Sequence, residues 1–248
     1  MSFQKEYSKY YDLLYKDKDY KAETAYACSL MGKYSPEKQE SLLDVGCGTG
    51  RHLSEFCKKG YIVYGVDRSK EMIAIARLNA PDAKLFVGNS CDFLLNKRVD
   101  VVVSLFHVMS YQASNEDMFG SFKNIRRHLN DKGVFVFDFW YGPAVLRDMP
   151  EVRIKRFEDE KIKVVRIAKP SINLNKNLVD VNYEITVINK KTEKITLFNE
   201  CHTMRYFFLP ELHFMLESTG FKVNGAFEWM TSREIGESSW YGTIVASV

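Results

Sequence analysis

A chain of 248 residues with 46% hydrophobic and 27% charged side chains is composed for one substantial water-soluble core, with room for a small appended lobe. Its formal net charge of +3, with lysines and arginines scattered rather than massed, argues against a nucleic-acid partner. No apolar run approaches a membrane span, the start MSFQKEYSKYYDLLY lacks a secretory pattern, and five cysteines without metal-ligand spacing (Cys28, Cys47, Cys57, Cys91, Cys201) predict reduced thiols, no metal and a cytoplasmic address.

The first forty residues read as helix, with Tyr7, Tyr11 and Tyr15 four apart and so on one face. Two roles are open to these rings: packing the helix onto the core, or forming a lid of phenols that sets Tyr11 over a ligand. From residue 41 onward short apolar runs alternate with helical patterns, the signature of a parallel sheet covered on both faces. SLLDVGC, YIVYGVD, AKLFVGN, VDVVVSLF and GVFVFDFW are near-continuous in β-branched and aromatic residues and read as buried strands. Helices are expected over 49–59, over 69–79 behind a Ser-Lys-Glu start, and over 114–129, where Met118, Phe119, Phe122, Ile125 and Leu129 recur at helical spacing.

Between 152 and 204 the period changes. Val181, Tyr183, Ile185 and Val187 alternate with Asn182, Glu184 and Thr186, and EDEK, NLNKN and NKKTE supply turns, so a small antiparallel sheet is expected there. A helix over 210–219, stopped by Gly220, and two closing strands in FKVNGAFE and WYGTIVASV complete the chain. The sum is an α/β fold: a Rossmann-like, seven-stranded, mostly parallel sheet with helices on both faces, formed by residues 1–150 and 205–248, with an antiparallel sheet inserted at 151–204.

The stretch LLDVGCGTGRHL carries three glycines in five positions between a buried strand and a helix. Bare backbone at a helix N-terminus suits a carboxylate or phosphate. The dinucleotide fingerprint needs its third glycine one position later, where Arg51 stands, so a nicotinamide cofactor is disfavoured. Asp67 ends the second strand, where its two oxygens suit the hydroxyls of a ribose or, alternatively, cap the helix starting at Ser69. Asn89 to Asp92 end the third strand and could accept from an exocyclic amine, or form a plain turn.

In order and spacing, LLDVGCGTG, VYGVD, VGNSCDF and VVVSLFH resemble the successive motifs of the class I S-adenosylmethionine-dependent methyltransferases. The resemblance implies that Asp44, Gly46, Cys47, Gly48 and Gly50 approach the methionine portion of that cofactor. Asp67, with Arg68 and Met72, would take the ribose; Asn89, Ser90 and Asp92 would frame the adenine; the backbone of Leu105 would hold the amino group. Asn89 stands where many members have aspartate, and Ser-Leu-Phe-His lacks the pattern of enzymes that methylate bases in DNA, which points to a small acceptor. YYDLLY, ARLNAPDAKLFVGN, FDFWYGP and ECHTMRYF further resemble the N-methyltransferases of nucleotide-linked amino sugars, in which the inserted sheet covers the acceptor and can build a homodimer.

Methyl transfer asks for alignment and, depending on the acceptor, a base. His107, just past the fourth strand, is the first candidate, followed by Tyr111 and His202. His52, His128 and His213 fall in helical patterns and read as surface or packing residues. Arg205 and Tyr206 could meet a phosphate of the acceptor or form a surface salt bridge; Trp140 and Tyr141 could stack on a sugar or base or simply fill the core. The alternatives are an O-methyltransferase of another phosphorylated or nucleotide-linked metabolite, and a non-catalytic module that binds the cofactor.

Overall fold

The structure is a computed structural model that describes residues 5–35 and 37–248; Met1 to Gln4 and Pro36, part of the stretch expected to be helical, lie outside the described residues. The N-terminal part forms two helices, α1 (Lys5–Leu14) and α2 (Tyr20–Tyr34). The alternating unit then runs β1 (Ser41–Val45), α3 (Arg51–Lys58), β2 (Ile62–Asp67), α4 (Lys70–Asn79), β3 (Lys84–Val87), β4 (Val99–Ser104), α5 (Asn115–His128) and β5 (Leu129–Tyr141). A short helix that the sequence pattern did not announce, α6 (Gly142–Asp148), leads to β6 (Arg153–Glu158), β7 (Ile162–Asn173), β8 (Leu178–Asn189) and β9 (Ile195–Phe207). The chain closes with α7 (Leu209–Ser218), β10 (Lys222–Glu228) and β11 (Tyr241–Ser247).

The strand order β3-β2-β1-β4-β5 is parallel throughout; β11 adds antiparallel to β5, and β10 antiparallel to β11, giving the expected seven strands. Period-two alternation assigns each strand residue to a face. Val101, Val103, Val134 and Val136 join Ala27, Met31, Leu53 and Phe56 beneath α2 and α3. Val102, Phe135, Phe137 and Phe139 join Phe122, Leu212 and Met215 beneath α5 and α7. Each fully buried side chain of this size contributes about 1.5–3 kcal/mol. Ser69 and Ser114 cap α4 and α5 by accepting from the backbone N–H groups of Met72 and Asp117.

The four strands of the insertion form an antiparallel meander whose turns fall where EDEK, NLNKN and NKKTE lie. The expected edge of the insertion, between residues 204 and 205, falls inside a strand. β9 runs unbroken from Ile195 to Phe207, and its end pairs parallel with β5, Trp140 opposite Tyr206 and Tyr141 opposite Phe207. One eleven-stranded sheet therefore passes through both units. The physical reason is that backbone groups at the end of a long β5 need partners, and β9 supplies them. Helix α1 crosses below this roof: Tyr7 and Leu14 pack on Val164, Ile185 and Val187.

Candidate functional site

A cavity of about 540 Å³ lies between the carboxyl ends of β1, β2 and β4, helix α1 and the inner face of the insertion. Its floor is the glycine loop. Gly46, Gly48 and Gly50 all have positive φ (80°, 54° and 79°), a conformation that side chains resist. A Cβ on Gly46 would fall 2.3 Å from Val108 Cγ1, and one on Gly50 would fall 3.0 Å from the Ala76 backbone, so neither position admits another residue without displacement. The N–H groups of Gly46 and Cys47 donate to the Val66 carbonyl (2.8 and 3.1 Å), tying the loop to the end of β2.

Asp67 caps the helix that starts after Ser69 and also stands on the cavity wall. Its carboxylate accepts from Gly48 N (3.0 Å) and from Ser69 N (2.8 Å), bracing the loop and the start of α4, and it still faces the cavity. Burial raises its pKa above the usual carboxylate value in spite of both donors. Asp44, 1% exposed beneath the loop, is pushed up to about 8, by burial first and then by the charges of Asp67 and Asp138. No hydrogen bond to its carboxylate is formed among the described residues, and it lies under the loop rather than on the cavity wall. Met72, Val66, Leu105 and Phe106 supply an apolar slot beside Asn89 and Ser90. S-adenosylmethionine fits this lining: an acid on the wall for a ribose, unhindered loop backbone, and an apolar slot beside them.

At the other end of the cavity the chain turns sharply after β4. Phe106 and His107, neither a glycine, both take left-handed dihedrals (φ 68° and 62°), a strain that the surrounding structure must hold. Asp138, fully buried in β5, holds it: both carboxylate oxygens accept from the His107 backbone N–H (3.0 and 3.1 Å). The same carboxylate lies 2.5 Å from the ring Nδ1, a close electrostatic contact off the axis of a straight hydrogen bond. Burial pushes the Asp138 pKa up, but the neighbouring imidazole and the donation from His107 prevail and hold it below the ordinary value. The His107 ring stacks on Tyr241 with centroids 4.3 Å apart.

From the roof, His202 Nδ1 meets the Tyr111 hydroxyl at 2.7 Å, and Glu200 lies 3.6 Å from its Nε2. Burial raises the Tyr111 phenol well above its usual pKa, so it serves as a neutral donor or acceptor rather than as a base. Asp12 of α1 fastens the helix to the floor: it accepts from Thr49 Oγ1 (2.8 Å), from Arg51 (2.8 and 3.2 Å) and from Asn79 (3.3 Å).

Of the residues singled out in the sequence, Tyr11, Gly46, Cys47, Gly48, Asp67, Arg68, Met72, Asn89, Ser90, Leu105, His107, Tyr111, Trp140 and His202 are brought to the cavity wall. Asp44 and Gly50 lie behind it. Asp92 is exposed, turned outward where its own N–H closes a turn on the Asn89 carbonyl. Arg205 and Tyr206 stand apart from the cavity: Arg205 is buried, 3.5 Å from Glu211 and over the Phe207 ring, and Tyr206 is buried among Val145, Val179 and Met204. Tyr141 packs against the core beneath α5 and α7. His52, read as surface or packing, is buried at the cavity edge, 2.8 Å from Glu23, which also pairs with Lys18. Sequence reasoning missed Asp138, hidden in the apolar run FDFW, and Arg166, one basic residue among many in the insertion.

A family profile described as a methyltransferase domain matches residues 42–133. The chain is similar to the dTDP-3-amino-3,4,6-trideoxy-alpha-D-glucopyranose N,N-dimethyltransferase of Streptomyces venezuelae, with 37% identity over 56% of this chain and 59% of that one. It is also similar to the dTDP-3-amino-3,6-dideoxy-alpha-D-glucopyranose N,N-dimethyltransferase of Streptomyces fradiae, with 36% identity over 56% of this chain and 54% of that one. The matched stretch thus spans little more than half the length of these relatives. Among solved structures, the crystal structure of Streptomyces venezuelae DesVI superposes with a TM-score of 0.81 at 28% identity, covering 97% of both chains.

Proposed function

We propose that the chain, whose residues 42–133 match a methyltransferase-domain profile, is a class I S-adenosylmethionine-dependent methyltransferase that transfers a methyl group from that cofactor to the amino group of a nucleotide-linked sugar. The observation that carries this reading is one continuous cavity joining the glycine loop to the inner face of the insertion, with His107 and Tyr111 between them. A module that only bound the cofactor would have no use for an open second compartment. The names of the two dimethyltransferases support the amino-sugar class.

When bound, S-adenosylmethionine supplies an electrophilic methyl carbon whose transfer leaves a neutral thioether. The residues of this chain align and deprotonate. Asp67 and the loop fix the cofactor, the roof fixes the acceptor, and holding the reacting atoms in line contributes about 7–11 kcal/mol. His107, held by Asp138, is placed to take the proton released when an amine becomes alkylated; a positioned base contributes about 100- to 10,000-fold. The Trp140 indole N–H, buried without a partner among the described residues, offers the acceptor a donor. One observation favours a second reading: a histidine backed by a buried carboxylate is also the base that a hydroxyl acceptor requires, which would make the product an O-methyl ether.

The test is incubation with labelled cofactor and a panel of nucleotide-linked amino and hydroxy sugars, followed by mass spectrometry. Methylation of amino sugars is expected. Transfer to the hydroxy analogues alone would establish the second reading, and no transfer to any of them would refute both.

A further inference from the structure

The inner face of the insertion carries cations that nothing in the cofactor site requires. In the β6–β7 ladder, Arg153 pairs with Ala168 and Lys155 with Arg166, so three basic side chains stand in two adjacent rows, and all three line the cavity. Arg153 and Lys155 are exposed at its mouth, whereas Arg166 is only 7% exposed. Its Nη1 donates to the hydroxyls of Tyr7 (3.3 Å) and Tyr15 (3.2 Å), and its guanidinium lies 4.8 Å above the Tyr183 ring. Burial keeps Tyr7 and Tyr183 neutral, so these partners orient the guanidinium without balancing its charge.

Among the described residues no carboxylate forms an ion pair with Arg166, Arg153 or Lys155. Two other cations around the cavity do have one: Lys18 meets Glu23, and Arg51 meets Asp12. A buried charge left uncompensated costs several kcal/mol, and a fork of N–H donors pre-set by two phenols and an aromatic face is the arrangement that recognises phosphate oxygens. We infer that Arg166, with Lys155 and Arg153, forms an anion subsite in the roof that takes a phosphate or diphosphate group of the acceptor. The inference rests on the proposed transfer to a nucleotide-linked acceptor and assigns the recognition of its charge to β6 and β7 rather than to Arg205, which Glu211 already holds.

The test is calorimetric titration of the full chain with inorganic pyrophosphate, thymidine diphosphate and a hexose 1-phosphate, each beside a separate titration with S-adenosylmethionine. The wild-type chain should bind pyrophosphate, less tightly as salt is raised, and Arg166→Gln should weaken binding roughly 10- to 100-fold with cofactor affinity unchanged. Thymidine diphosphate binding more tightly than the hexose phosphate identifies a nucleotide-linked source; the reverse order identifies a simple sugar phosphate. Should Arg166→Gln fail to fold, the exposed double change Arg153→Gln with Lys155→Gln decides, with an expected loss of roughly 3- to 10-fold. Failure of the wild-type chain to bind any of the three, or equal affinity in the folded variants, overturns the subsite. Pyrophosphate binding without S-adenosylmethionine binding would instead sink the methyltransferase reading and leave the subsite standing.

Discussion

His107 shows how much one position can depend on a partner far away in sequence. Its left-handed backbone and its ring are both fixed by Asp138, thirty-one residues on, through two main-chain hydrogen bonds and an ion contact. Asp138→Asn keeps the shape of the side chain and removes its charge. We expect turnover to fall about 10- to 100-fold with S-adenosylmethionine affinity unaltered, read by steady-state kinetics beside calorimetry. Full activity in the variant would mean that His107 takes no proton in the reaction. At this scale the glycine loop and the strand-end residues beside it were legible from their motifs, but the partners that hold a side chain in place were not. The position of His107 after the fourth strand could be read from the pattern, but an aspartate within FDFW looks like any polar residue at a strand edge until β4 and β5 are laid side by side. Arg166 was equally silent, because its isolation from carboxylates is a property of the folded surroundings.

Elements were far more readable, because they are written in local periodicity. The five βα strands, the cap at Ser69 and the three turns of the insertion follow from alternation and turn chemistry alone. The joint between β5 and β9 does not, since it depends on which strand ends find each other in space. Helix α1 is an intermediate case. Four-residue spacing of tyrosines predicted a face, and the structure divides the rings: Tyr7 is buried beneath the roof, while Tyr11 and Tyr15 line the cavity. What fastens this helix to the floor is Asp12, which touches Thr49, Arg51 and Asn79 at once. Asp12→Ala should cost about 1 kcal/mol in urea unfolding and release S-adenosylmethionine roughly 3- to 10-fold faster in stopped-flow measurements. An unchanged release rate would show that α1 does not retain the cofactor.

For the whole molecule, the acid under the glycine loop contributes to how stability responds to pH. Asp44 has a pKa of about 8 in the folded chain and about 3.9 when unfolded. Between those values the folded state holds the extra proton, so stability contributed by this group is complete below about pH 4 and is lost as pH rises through 8. Urea unfolding at intervals from pH 5 to pH 8 should show the wild-type chain losing ground relative to Asp44→Asn; parallel curves would contradict the assignment. Binding of a cationic ligand near neutral pH should expel that proton, seen as a dependence of calorimetric heat on the ionisation enthalpy of the buffer.

The two-residue seam where Trp140 and Tyr141 meet Tyr206 and Phe207 has a bearing on how such a protein can be altered. On the proposed function, recognition of the acceptor is carried on a cassette that leaves the main sheet after β5 and returns along β9, so a foreign roof could be grafted between those points. The graft must arrive in register. A slip of one residue would invert the strand, turning His202 and Met204 out of the chamber and Cys201, Thr203 and Arg205 into it.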